Sequence, residues 1–72
     1  MSETPTIQVR LNGEERTIAA GSTVTELLES LDLRPELVVV ERNREILERA
    51  RYGDVRVEPG DTLELVHFVG GG

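Results

Sequence analysis

No cysteine occurs in this 72-residue chain, which excludes a disulfide framework, a thiolate nucleophile, an iron–sulfur cluster and a cysteine zinc site. A single histidine, His67, cannot build a multi-histidine metal centre. No apolar run approaches the roughly 20 residues that span a bilayer. The start, Met1-Ser2-Glu3-Thr4-Pro5-Thr6, lacks the basic-then-apolar order of a secretory signal, so the expected address is cytoplasmic. Lysine is absent as well: the eight basic residues are all arginine, and without an ε-amine the chain accepts no isopeptide bond on a side chain and could form chains only through its N-terminal amine. A genome-wide arginine bias explains this equally well. Cationic charge is also short overall, with 14 acidic residues giving a formal net charge of -6. Such a surface repels a phosphate backbone and favours basic protein surfaces, which excludes nucleic acid as the expected partner.

At this length one domain is expected, spanning 1–72, with little room for an enclosed active site. Ile7, Val9 and Leu11 alternate with Gln8 and Arg10 as in a half-buried strand, and Asn12-Gly13 is a tight hairpin signal leading to a second strand through Arg16 to Ala19. Thr23-Val24-Thr25-Glu26 has capping-box spacing, and Val24, Leu27, Leu28 and Leu31 form one helical face. The helix is expected to end before Pro35, because the residue preceding a proline is pushed out of helical geometry. Leu37 to Val40, continuing through Glu41 and Arg42, predicts a central strand, Asn43-Arg44 a turn, and Glu45-Ile46-Leu47 a short strand. Glu48 to Val57 has no clean period and is expected to be a surface loop with a helical turn, Tyr52 packing on the sheet edge. Glu58-Pro59-Gly60-Asp61 signals a turn, and Thr62 to Phe68 a last strand with Leu63 and Leu65 inward and Glu64 outward.

That element order predicts an α+β β-grasp, or ubiquitin-like, fold: a mixed sheet of four to five strands packed on one main helix. One apolar stripe must bury itself on a sheet, and the single crossover returns the chain parallel to an earlier strand. The last strand then sits centrally. Residues 70–72 form a flexible glycine tail leaving the sheet end, and residues 1–5 a flexible N-terminus. Glycine carries no Cβ, and three extended residues reach about 10 Å, so Gly70, Gly71 and Gly72 suit a slim arm tipped by a carboxylate; a frayed end or an engineering remnant is the plain alternative. Strict alternation puts Val66 and Phe68 on the outer face as an apolar docking patch continued by Val69, unless the strand twists and buries them. His67 reads as an ordinary strand-end residue.

Leu11-Asn12-Gly13-Glu14, Thr23-Val24 with Leu27-Leu28, Val38 to Val40 leading to Asn43, Arg49, Pro59-Gly60-Asp61 and Val66-His67-Phe68-Val69-Gly70-Gly71-Gly72 together resemble the ThiS family of sulfur carrier proteins of thiamine biosynthesis. The resemblance covers nearly the whole chain. Departures are Arg44 where the family often has glycine, Glu48 where it often has proline, and extra residues before Ile7. The resemblance implies a protein cosubstrate rather than an enzyme, with no catalytic residue, metal or bound cofactor. Its Gly72 carboxylate would be adenylated with ATP by an E1-like adenylyltransferase of the ThiF type. Sulfur from a donor such as a cysteine desulfurase would convert it to a thiocarboxylate, used by a thiazole synthase of the ThiG type. Gly71 and Gly70 would give access and reach. The rivals are the small subunit of molybdopterin synthase and a noncovalent ubiquitin-like interaction module.

Overall fold

The computed structural model describes residues 5–68. Strand β1 (Thr6–Leu11) turns through Asn12-Gly13 into β2 (Glu14–Ala19), followed by helix α1 (Val24–Ser30). A 3-10 turn at Pro35–Leu37 leads into β3 (Val38–Arg42), then β4 (Glu45–Leu47), a second 3-10 turn at Arg49–Arg51, and β5 (Thr62–His67). The five strands form one sheet in the order β2-β1-β5-β3-β4. Strands β1 and β5 run parallel and the other neighbours antiparallel, so the sheet is mixed and its last strand lies in the middle. The predicted β-grasp is the observed fold. Strand β3, expected to be central, is interior, lying between β5 and β4.

Both hairpins turn on residues with positive φ, Asn12 at 50° with Gly13 at 83°, and Asn43 at 52° with Arg44 at 72°. Two consecutive left-handed residues match the right-handed strand twist, which is why Asn-Gly is the favoured pair. Arg44 occupies the glycine-type position with a Cβ that crowds its own backbone. Arg44→Gly is therefore expected to stabilise the fold by about 0.5–1 kcal/mol, read as a raised midpoint in urea.

Helix α1 begins with the predicted capping box. The Glu26 N–H donates to Thr23 Oγ1 at 3.1 Å, and the Thr23 N–H to Glu26 Oε1 at 2.9 Å. The helix ends before Pro35 as expected, but a backbone motif rather than the proline sets the position. Asp32 takes a left-handed φ of 62°, while the Leu33 N–H reaches the Leu28 carbonyl at 2.9 Å and the Asp32 N–H the Glu29 carbonyl at 3.0 Å. This closing motif satisfies the last carbonyls and stops the helix at Ser30, before proline can act.

Val24, Leu27 and Leu28 of α1 are buried against Val9 and Leu11 of β1, Val38 and Val40 of β3 and Leu63 of β5. Leu31 packs on this core while half-exposed. The segment from Glu48 to Val57 contains the expected helical turn but is more than a surface loop, since Tyr52 and Val57 are core residues. Its backbone receives two otherwise orphaned helix donors, Val24 N–H on the Val55 carbonyl at 3.0 Å and Thr25 N–H on the Tyr52 carbonyl at 3.1 Å. Pairing of β3 with β4 stops at Val40 opposite Leu47. Beyond it the Tyr52 hydroxyl donates to the Val38 carbonyl at 2.8 Å and accepts from the Val40 N–H at 3.1 Å, replacing a strand neighbour. The expected packing of Tyr52 on the sheet edge is thus observed, with the ring buried. Tyr52→Phe keeps the ring but takes the hydroxyl from the Val40 N–H and leaves the Val38 carbonyl with Arg49 Nη2 at 3.3 Å; a loss of about 1–2 kcal/mol in denaturant unfolding is expected.

Pro5, grouped by sequence with the free N-terminus, accepts the Ala20 N–H on its carbonyl at 3.0 Å. Among the described residues no helix is long and apolar enough to cross a membrane, and no cluster of three or more His, Cys, Asp or Glu side chains is placed to hold a metal.

Candidate functional site

Alternation along β5 fixes which side chains face the helix and which face outward. Leu63 is fully buried and Leu65 half-buried, while Glu64 and Val66 lie on the opposite face. Val66 is 54% exposed and Phe68, just past the strand, 53%, so the outward placement expected for both is the observed one. The Phe68 N–H donates to the Leu37 carbonyl at 2.8 Å, which extends the β5 ladder by one residue beyond His67. His67 itself is exposed, opposite Val38 in register. Val69, Gly70, Gly71 and Gly72, the remaining residues singled out by sequence, lie outside the described residues, as do residues 1–4.

The outer face extends further than the sequence indicated. Val39 lies directly opposite Val66, and one row back Ile46, Glu41 and Glu64 stand side by side across β4, β3 and β5. Ile46 is 70% exposed, more than either of the expected patch residues. Its signal was the period-two position in Glu45-Ile46-Leu47, but three residues carry too little alternation to assign a face without the register to β3.

The base of β5 is held by polar contacts from both hairpin turns. Strand β1 pairs with β5 only through Arg10–Thr62 and Leu11–Leu63. Asn12 extends that ladder with its side chain, accepting the Leu65 N–H on Oδ1 at 2.8 Å, while its own N–H donates to the Leu63 carbonyl at 2.9 Å. From the other side, the Thr62 N–H donates to Asn43 Oδ1 at 2.9 Å. Both turn asparagines therefore bond to the strand that leads to the tail.

Asp61, immediately before β5, is the buried polar residue of the core region at 6% exposure. Arg42 Nε donates to Oδ2 at 2.9 Å, Asn43 Nδ2 to Oδ1 at 3.1 Å, and the Glu58 N–H to Oδ2 at 2.9 Å. Burial acts to raise the carboxyl's pKa and is the largest single influence. The Glu58 N–H, the Arg42 guanidinium and the Asn43 amide together outweigh it and hold the group below its ordinary value. Asp61 is thus a constitutive anion locking the β3–β4 turn to the start of β5. Held by three donors, two on Oδ2 and one on Oδ1, it serves as a structural clamp.

No described residue brings a base, nucleophile and oxyanion donors together, and what the site offers is a central strand with an exposed apolar face at Val66 and Phe68. The profile of the ThiS family matches residues 9–72. The chain belongs to the ThiS family. The sulfur carrier protein ThiS of Bacillus subtilis is 42% identical over 65 residues, covering 89% of this chain and 98% of that protein. The crystal structure of the thiamine biosynthesis protein ThiS from Geobacter metallireducens superposes with a TM-score of 0.78 at 39% identity, covering 92% of this chain and all of that one. A thiazole synthase of Magnetococcus marinus is 44% identical over 66 residues, covering 92% of this chain. This ThiS-family chain spans 20% of that synthase's length and 19% of a second thiazole synthase that it matches.

Proposed function

We propose that this chain is a sulfur carrier of thiamine biosynthesis, a protein cosubstrate whose Gly72 carboxylate is the group that reacts. A carboxylate is a poor electrophile. Joined to AMP by an E1-like enzyme with ATP, releasing pyrophosphate, it becomes a mixed anhydride with a good leaving group. A donor persulfide sulfur then attacks the acyl carbon and expels AMP, and a thiol cleaves the resulting sulfur–sulfur bond to leave a thiocarboxylate. That sulfur is nucleophilic, as thiazole formation by a thiazole synthase requires.

The observation that carries the reading is the central place of β5, the strand that in sequence precedes the glycines. Strand β5 is paired on both sides and clamped at its base by Asp61, Asn12 and Asn43. The polar contacts of this base are spent on holding the strand, which fits a protein that presents a reacting group to other enzymes. Val66 and Phe68, continued in sequence by Val69, supply an apolar surface next to the tail on which a partner can seat while glycines pass into its channel. Similarity to a segment of thiazole synthases supports an acceptor of that class, since domains that act in sequence gain effective concentration by sharing a chain.

ATP–pyrophosphate exchange tests the first step. An E1-like activating enzyme is expected to exchange labelled pyrophosphate into ATP only when this chain is added, with a rate saturating in its concentration. Exchange that ignores the chain contradicts the reading.

A further inference from the structure

The outer sheet face combines exposed apolar groups with an unusual charge placement. Glu41 and Glu64 are directly opposite one another on β3 and β5, and Ile46 is directly opposite Glu41 on β4. Side chains paired in this way stand about 4.5–5.5 Å apart at Cβ, and like charges so placed repel. The ion pairs among the described residues, Arg34–Glu36 and Arg42–Asp61, leave both glutamates unmatched. Among the described residues no arginine pairs with either glutamate. Arg42 follows Glu41 but reaches Asp61 on the other face, and Arg10 donates through Nη1 to the Gly13 carbonyl at 3.0 Å. Two adjacent carboxylates thus lie between Ile46 on one side and the Val66–Phe68 patch toward the tail.

This pattern discriminates between occupants. A second copy seated on the same face would bury carboxylate pairs against each other or against apolar groups, and unmatched buried charge outweighs the return from a few aliphatic contacts. A partner presenting a cation among apolar side chains meets no such barrier. A guanidinium fits best, because its planar fork can bond two carboxylates at once. We propose that Glu41 and Glu64 form the cation-accepting centre of the docking surface, receiving an arginine of a protein partner while Ile46, Val66 and Phe68 seat on that partner's apolar groups. The same pair keeps copies of this chain apart. The identity of the partner rests on the sulfur-carrier reading, and thiazole synthase is the probe.

The test compares the wild type with E41Q/E64Q and with E14Q/E29Q, which removes the same charge from exposed positions off the outer face, Glu14 opposite Leu11 on the helix side of the sheet and Glu29 on α1. Thermal unfolding establishes that each is folded. Binding of thiazole synthase by surface plasmon resonance is expected to weaken about tenfold in E41Q/E64Q, to lose most of its salt dependence, and to change less than twofold in E14Q/E29Q. Sedimentation without any partner is expected to show dimers of E41Q/E64Q at concentrations where the other two are monomeric. Equal binding by all three chains, equal weakening in both variants, or a double variant as monomeric as the wild type overturns the proposal. A wild type that fails to drive ATP–pyrophosphate exchange overturns the carrier reading instead, and the sedimentation result still decides the role of the pair.

Discussion

Adding one alanine after Gly72 is expected to reduce sulfur loading more than a hundredfold while leaving the urea midpoint unchanged. The extension moves the carboxylate one residue further and turns the original reacting carbonyl into an amide, which is not adenylated. Gly71→Val tests the neighbouring requirement, because a β-branched side chain fixes the backbone and fills a channel that glycine would pass. Its effect is expected in kcat for loading, with KM for the activating enzyme changed less than threefold, since the proposed seating on Val66 and Phe68 does not use the tail. Loading measured by intact mass, alongside unfolding of the same samples, separates chemistry from folding. Extended chains that load at the wild-type rate contradict the proposed site.

The second large effect is on stability. Asp61→Asn removes the charge that Arg42, Asn43 and the Glu58 N–H converge upon, leaving a half-buried guanidinium without its counter-charge. A loss of about 2–4 kcal/mol at pH 7 is expected. The pH dependence has a definite sign. Because the folded-state pKa of Asp61 is depressed, its contribution is fully present above the unfolded value of about 3.9 and is lost as pH falls through the folded value. The wild type should therefore lose stability progressively below about pH 4, and Asp61→Asn should show a flatter profile there, starting from a lower plateau. Urea unfolding at a series of pH values reads both. Parallel profiles for the two chains would show that the carboxylate carries no linkage.

What could be read from the sequence was local. Asn12-Gly13 and Asn43-Arg44 announced two hairpins because consecutive left-handed residues need such side chains, and Thr23 with Glu26 announced the helix start through a contact three residues long. Alternation in β5 placed Val66 and Phe68 outward. What escaped depends on partners distant in sequence. Tyr52 is held by Val38 and Val40, 14 and 12 residues away, and no periodicity in its own segment reports that. The asparagines read as turn residues, yet their side chains bond to β5 53 residues from Asn12 and 19 from Asn43. Ile46 and the Glu41–Glu64 pair became one surface only through the register of three strands. The helix end shows the same division: Pro35 explained where a helix cannot continue, but the left-handed turn at Asp32 decided where it stopped.

The central claim is that the Gly72 carboxylate carries sulfur, and the mass of the C-terminal peptide tests it most directly. After incubation with ATP, a persulfide donor and an E1-like activating enzyme, the peptide containing Gly70, Gly71 and Gly72 is expected to gain the mass difference of one oxygen replaced by sulfur, and to lose it again when thiazole synthase and its other substrates are added. A peptide that keeps its oxygen under conditions where the activating enzyme consumes ATP in response to this chain would contradict the account.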